Sequence, residues 1–145
     1  MKIPRMTVIT LGVSDLARST SFYRELFATP PITENEGVTF IPLPGVWLSL
    51  YPLEKLAEDI GEKVKLPEPG TFRGFTLAYN ARSKDDVSHI FVRAAVFGAR
   101  IVKAPQDTFW GGFSGYFSDP DGHYWEVAWG PMFDFTEHGD LRFKA

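Results

Sequence analysis

One order of elements, a strand, a helix and three further strands, is predicted twice along the 145-residue chain, and this repeat constrains the fold most. In the first half, alternating polar and β-branched residues predict a strand over 5–13. Apolar residues at helical spacing then predict a helix over 14–28. Three short segments that favour strands follow, at 32–35, 38–43 and 46–53.

The second half repeats this order after a charged segment. Its first strand is predicted over 72–80 and its helix over 83–99. Three strands are then predicted, over 100–106, 113–119 and 123–129. Because one such unit leaves a face of its sheet uncovered, the two units are expected to pack together.

The predicted fold class is α+β, with two βαβββ modules side by side that form a cupped mixed sheet, a half-barrel, with the helices outside. A chain of this length is expected to form one domain with a sizeable core. A cleft for a small molecule is expected between the modules. The predicted boundaries are a single domain over 1–145, a first module over 5–52, a linker over 53–69, a second module over 70–131 and a tail over 132–145.

Local signals mark where these elements begin and end. Ser14 or Asp15 is predicted to cap the first helix and Ser83 the second, because their side-chain oxygens accept hydrogen bonds from free backbone N–H groups. Gly98 is predicted as the C′ residue at the end of the second helix. The segment DPDG at 119–122 has proline and glycine where a tight turn favours them, so it is predicted to join the last two strands as a hairpin.

Composition and charge exclude several function classes. The net charge of −3 is spread over mixed signs without a basic run, so nucleic acid is not an expected partner. The chain has no cysteine, which removes disulfides, thiolate metal ligands and cysteine nucleophiles. No apolar run approaches the roughly 20 residues of a membrane span, so neither membrane insertion nor a secretory signal is expected. A cytoplasmic location is therefore the expectation.

Two motifs resemble those of a known superfamily. The segment TLGVSDLARSTSFYRELF at 10–27 opens the first module, and GGFSGYFSDPDGHYWEVAWGP at 111–131 closes the second. Over about residues 5–131 the chain resembles the vicinal oxygen chelate superfamily, which includes glyoxalase I, extradiol dioxygenases, and bleomycin and fosfomycin resistance proteins. In its metal-dependent members each module supplies two inward-facing ligands, usually His, Glu or Gln.

The resemblance points to four positions for such ligands, and this chain departs from the pattern at most of them. The positions correspond to Val8, Ser49, Phe75 and Glu126, of which only Glu126 matches. Val8 and Phe75 have no lone pair to donate, whereas a transition metal needs three or four good donors. The three histidines lack the close spacing of a metal motif. No cofactor is therefore expected, and the residues at these positions disfavour a divalent metal in particular.

Glu126 is an acidic residue within a predicted buried strand. Strand alternation places Tyr124 and Glu126 on the concave face of the sheet, and Trp125 and Val127 on the face toward the helix. An unpaired carboxylate there would be costly. Glu126 is expected either to accept hydrogen bonds from Ser49, a tyrosine or water as a structural residue, or to bind a ligand or act as a general base.

The same alternation predicts an aromatic pocket around Glu126, the candidate catalytic residue. A loop carrying Phe109 and Trp110 is expected to lie over its mouth, where a planar ligand could stack. For each aromatic residue, core packing is the competing interpretation. The predicted ligand-binding residues are Thr10, Trp47, Ser49, Tyr51, Phe75, Leu77, Phe109, Trp110, Tyr124 and Glu126.

Two functions are expected from these observations. The first is a metal-free small-molecule-binding protein, similar to the homodimeric bleomycin resistance proteins, that binds an aromatic or cationic compound in the cleft. The second is a lyase, isomerase or dioxygenase of the glyoxalase kind, with Glu126 as base or as part of a reduced metal site. A binding module of a larger assembly is a further alternative. The sequence leaves open whether any reaction is catalysed.

Overall fold

The computed structural model describes residues 2–61 and 63–145. The chain divides into two compact units, Met1–Arg73 and Gly74–Ala145. The first unit combines two helices, and the second unit one helix, with a mixed sheet, so the predicted α+β class is confirmed. The single-domain organisation stays a prediction. Within the described ranges, no helix is long and apolar enough to cross a membrane.

The first unit contains three strands and two helices. Its sheet has the order β1-β3-β2, with β1 and β3 parallel and β2 antiparallel to β3. The elements are β1 (Val8–Val13), α1 (Leu16–Phe27), β2 (Thr39–Ile41), β3 (Trp47–Pro52) and α2 (Leu53–Ile60).

The second unit repeats this topology with one more strand. Its sheet has the order β4-β7-β6-β5, in which β4 and β7 are parallel and the other neighbours are antiparallel. The elements are β4 (Leu77–Asn80), α3 (Lys84–Val96), β5 (Arg100–Asp107), β6 (Phe113–Ser118) and β7 (Tyr124–Trp129).

The segment over 132–145, predicted as a tail without a clear period, forms a hairpin of two short strands. These are β8 (Phe133–Phe135) and β9 (Leu141–Phe143). The rings of Phe133 and Phe143 lie 5.4 Å apart, and Arg142 forms an ion pair with Asp134 at 3.3 Å. Strands of three residues are too short to show a periodic pattern, which is why the sequence did not predict them.

The predicted helix caps are confirmed. The Asp15 carboxylate accepts a hydrogen bond from the Arg18 backbone N–H at 3.0 Å, and the Ser83 hydroxyl accepts one from the Asp86 N–H at 3.0 Å. Gly98 follows α3 with φ +112°, a backbone conformation that glycine adopts without a steric cost.

Two predictions about the first unit are corrected. The strand expected over 32–35 is a single bridge between Ile32 and Phe40, preceded by two prolines, which have no N–H to donate to a ladder. The linker expected over 53–69 contains α2. Its many charged residues suggested a solvated linker, but Leu53, Leu56 and Ile60 recur at helical spacing, and Leu53 packs against Gly12 of β1.

One face of each sheet packs against a helix. In the first unit, Leu11 and Leu50 are fully buried, and the Thr20 hydroxyl of α1 lies 2.9 Å from that of Thr39 on β2. In the second unit, the ring of Phe91 on α3 meets Phe117 edge-on, with 5.7 Å between ring centroids. In the first unit α2 lies on the opposite face, where Leu53 packs against Gly12.

The predicted DPDG turn joins β6 to β7, and a buried carboxylate holds it. Oδ1 of Asp119 accepts hydrogen bonds from the backbone N–H groups of Asp121 and His123 at 2.9 and 2.8 Å. Oδ2 of Asp119 accepts one from Nδ1 of His123 at 2.8 Å, and both side chains are buried. Gly122 has φ +87° and closes the turn. This network fixes the register of the two strands.

Replacing this carboxylate is expected to destabilise the protein. Asp119→Ala leaves three donors without their acceptor in a buried site, so the free energy of unfolding should fall by about 2–4 kcal/mol. Urea denaturation followed by circular dichroism measures this. The exposed Asp59→Asn on α2 serves as control and should stay within about 0.5 kcal/mol of wild type. Equal stability of the Asp119 variant would refute the role given to the network.

Candidate functional site

Glu126 lies on the face of the second sheet that points away from α3. The rings of Phe117 and Trp125 stack at 6.4 Å on the α3 side, and Val127 is buried on the same side. Because successive residues of a strand alternate between faces, Tyr124 and Glu126 point to the other side. We call the surface formed by Tyr116, Tyr124 and Glu126 the Glu126 face.

A single hydrogen bond holds the Glu126 carboxylate. Tyr116 lies directly opposite Glu126 in the β6–β7 register, and its hydroxyl donates to Oε2 of Glu126 at 3.1 Å. Within residues 2–61 and 63–145 this is the one polar interaction of Glu126. Glu126 is half-buried, and no fully buried side-chain oxygen in that part of the chain lacks a partner, so Oε1 of Glu126 keeps some exposure to solvent. The carboxylate is thus oriented through one oxygen and offers the other.

The same contact keeps the Tyr116 phenol protonated. Partial burial raises the pKa of Tyr116, and the neighbouring Glu126 raises it further through its charge and through the hydrogen bond. Tyr116 therefore remains a hydrogen-bond donor through the neutral and mildly alkaline range.

Removing the charge of Glu126 is expected to lower the pKa of Tyr116. In Glu126→Gln the Coulombic contribution is lost, so the phenol should ionise at lower pH than in wild type. Ultraviolet titration of the tyrosines measures this, with Tyr116→Phe identifying the band. Glu58→Gln, on α2 of the other unit, is the matched control and should leave the titration unchanged. An unshifted band in Glu126→Gln would contradict the contact.

Several predicted binding residues lie together on the first unit. Thr10 is in register with Ser49, so both point to the sheet face opposite α1. Trp47 and Tyr51 have the same parity on β3, and the Trp47 ring lies 6.1 Å from that of Phe40. Ser49 is buried and Trp47 is well exposed. Thr10, Trp47, Ser49 and Tyr51 therefore share one face of the first sheet.

The positions on β4 differ from the expected parity. Leu77 is in register with Trp125, which places it on the α3 side, and Ala78 is the residue beside Glu126. Phe75 lies two residues before the strand and is exposed. The prediction assigned the alternating apolar residues of 72–80 to the pocket, whereas the register puts Leu77 on the same face as Trp125, which is the α3 side.

Two hydrogen bonds between Thr108 and Gly112 close the turn that carries Phe109 and Trp110. The Gly112 N–H donates to the Thr108 hydroxyl at 3.0 Å, and the Gly112 carbonyl accepts from the Thr108 N–H at 2.9 Å. The Trp110 ring packs where side chains on Gly112 and Gly130 would otherwise lie. Phe109 is fully exposed. The glycines thus hold Trp110 in place, and Phe109 projects from the turn.

Tyr116 was not among the predicted site residues, although the sequence contained a signal for it. Tyr116 and Glu126 lie at equal distances on either side of Asp121 in the predicted hairpin turn, so a tight turn places them opposite each other. Counting from the turn would have found the pair.

Comparison with known proteins identifies the family. Residues 5–127 match the model of the Glyoxalase/Bleomycin resistance protein/Dioxygenase superfamily. The chain belongs to this superfamily. The resemblance to the vicinal oxygen chelate proteins noted in the sequence is thereby confirmed.

Relatives within the superfamily match nearly the whole chain. Metallothiol transferase FosB of Shouchella clausii is 29% identical over 133 residues, which cover 90% of this chain and 83% of that protein. FosB of Bacillus licheniformis is 29% identical over 137 residues, covering 94% and 82%. The solved structure of a glyoxalase-related enzyme from Fulvimarina pelagi is 33% identical, covers 99% of this chain and 100% of that chain, and has a TM-score of 0.85.

These relatives correct the expectation that no metal cofactor is involved. Curated proteins that match most of the chain carry the name metallothiol transferase, so the group to which this protein is similar is metal-dependent. The expectation followed from the missing donor atoms at the superfamily's ligand positions. The residues at those positions do not by themselves determine whether a protein depends on a metal.

The residues of this chain nevertheless do not fit a metal centre at the superfamily's ligand positions. Val8 and Phe75 have no donor atoms there, and Ser49 is a weak ligand beside Glu126. Across residues 2–61 and 63–145, no group of three or more His, Cys, Asp or Glu side chains could hold a metal ion. The name of the relatives implies a metal centre. The side chains at these four positions do not by themselves provide enough ligands for one.

Proposed function

We propose that this superfamily member binds a small, flat aromatic molecule with a cationic or hydroxyl group at the Glu126 face. The observation that carries the proposal is the Tyr116–Glu126 hydrogen bond of 3.1 Å, which orients one carboxylate oxygen and leaves the other accessible. A carboxylate held in this way is preorganised to accept a hydrogen bond from a ligand.

The surroundings of Glu126 support a cationic aromatic ligand. Tyr116 lies opposite Glu126 and Tyr124 two residues before it on the same face. Tyrosine rings stack with planar ligands and attract cations through the negative face of the ring. The negative charge of Glu126 beside these two tyrosine rings favours a ligand with a positively charged or hydroxyl-bearing aromatic group.

An enzyme is the second candidate, and the relatives favour it. Proteins named as transferases match over 87–95% of this chain. In such an enzyme, Oε1 of Glu126 would accept a proton from the substrate as general base, while Tyr116 holds Oε2. An enzyme would consume a thiol continuously, and Glu126→Gln would not. This result would favour an enzyme over a protein that only binds its ligand stoichiometrically.

We also propose that the protein is a homodimer, as the superfamily resemblance implies, and that it is cytoplasmic, as expected from a sequence without a long apolar run. Exposed apolar side chains, among them Val92 and Val96 on α3, offer surface for a contact between copies. Light scattering after gel filtration tests the dimer, and a monomer at all concentrations would refute it.

The binding proposal is tested with 4-(aminomethyl)benzamide, a flat aromatic cation. Calorimetric titration of wild type should show one site, and Glu126→Gln should bind at least about tenfold more weakly because a charge-assisted contact is lost. Tyr116→Phe should bind more weakly by a smaller factor, since the carboxylate remains but is no longer oriented.

Glu58→Gln on α2 is the control and should bind like wild type. The proposal fails if wild type does not bind the compound, or if Glu126→Gln binds it as tightly as wild type.

A further inference from the structure

Three polar side chains form a row across three neighbouring strands. In the β5–β6 register Lys103 lies opposite Tyr116, and in the β6–β7 register Tyr116 lies opposite Glu126. Residues directly opposite each other project from the same face of a sheet. Lys103 is therefore on the Glu126 face, about 10 Å from Glu126 between Cα atoms, the width of two strand spacings.

Irregularities in β5 place Lys103 in this row. The register shifts between Ile101 and Lys103 and again between Lys103 and Gln106. Bulges of this kind reorient a side chain and occur frequently beside functional sites. Without the first shift, strand alternation would pair Tyr116 with the residue before Lys103 instead.

Gly115 on β6 makes the bulged path possible. A Cβ atom at Gly115 would lie 2.5 Å from the Lys103 carbonyl oxygen and 2.9 Å from the Pro105 nitrogen. The Phe91 ring of α3 would lie 2.8 Å away. Only glycine allows the backbone of β5 and the Phe91 ring to approach this position so closely. The position of Lys103 is thus set by the backbone and by helix packing together.

The ammonium group of Lys103 has no partner within the described residues 2–61 and 63–145. None of the ion pairs and hydrogen bonds in that part of the chain involves it. Lys84 differs, because its ammonium pairs with Asp107 at 2.8 Å and lies near the rings of Phe113 and Trp129. Lys103 is exposed on its strand, so its charge is available to a bound molecule.

We propose that Lys103 binds an anionic group of the same small molecule whose cationic or hydroxyl group meets Glu126. This inference rests on the proposed function and narrows its ligand to a flat aromatic compound with a negative group at one end and a donor at the other. Lys103 supplies the positive charge, Oε1 of Glu126 the negative charge, and the Tyr116 ring lies between them. The anionic group is a carboxylate, phosphate or sulfonate, all of which an ammonium group binds.

A pair of matched compounds tests the role of Lys103. The zwitterion 4-(aminomethyl)benzoate and the cation 4-(aminomethyl)benzamide share the ring and the ammonium group, and differ in that a carboxylate replaces a neutral amide of similar shape. Wild type should bind the zwitterion about fivefold more tightly than the cation, as expected for an exposed ion pair. In Lys103→Gln this ratio should fall to about one while the affinity for the cation is kept. Lys103→Arg should retain the preference.

Lys55→Gln on α2 is the matched control, because Lys55 is also exposed and should have no effect on either compound. Circular dichroism verifies that each variant is folded. An unchanged ratio in Lys103→Gln, together with weakened binding of both compounds by Glu126→Gln, would overturn the role of Lys103 and leave the proposed function standing. If Glu126→Gln binds both compounds like wild type, or wild type binds neither, the proposed function itself fails and this inference fails with it.

Discussion

The register of the β6–β7 hairpin is the constraint on which the site depends. It is set at the turn, where the Asp119 carboxylate accepts three hydrogen bonds within a buried loop. A slip of one residue would turn Glu126 toward α3 and bring Val127 out to the open face. Which residues lie on the Glu126 face therefore depends on Asp119, although Asp119 is not part of that face.

The two faces of the second sheet differ: one packs against α3, and the other carries polar residues. On the α3 side, Phe91, Phe117 and Trp125 form a chain of ring contacts that excludes water. On the other side, Tyr116 and Glu126 keep a polar contact that is partly solvated. Because the apolar face supplies the stability, polar residues on the other face have only a modest cost to folding.

The sequence predicted what local interactions decide and missed what tertiary contacts decide. The caps at Asp15 and Ser83 follow from side-chain chemistry within four residues, so they were predictable. Helix α2 was hidden by its charged residues, although Leu53 supplied the contact that holds it. The pairing of Lys103 with Tyr116 could not be predicted, because a bulge depends on how two strands and a helix meet at Gly115.

The two sheets carry the same parallel pairing with different chemistry. Thr10 meets Ser49 in the first unit where Ala78 meets Glu126 in the second, so serine and glutamate occupy corresponding places in two copies of one topology. Two copies of one topology can thus carry different chemical groups. The first has a neutral hydroxyl where the second has an acid. The two units thus share one strand pairing and differ in charge, since Ser49 stands on one sheet where Glu126 stands on the other.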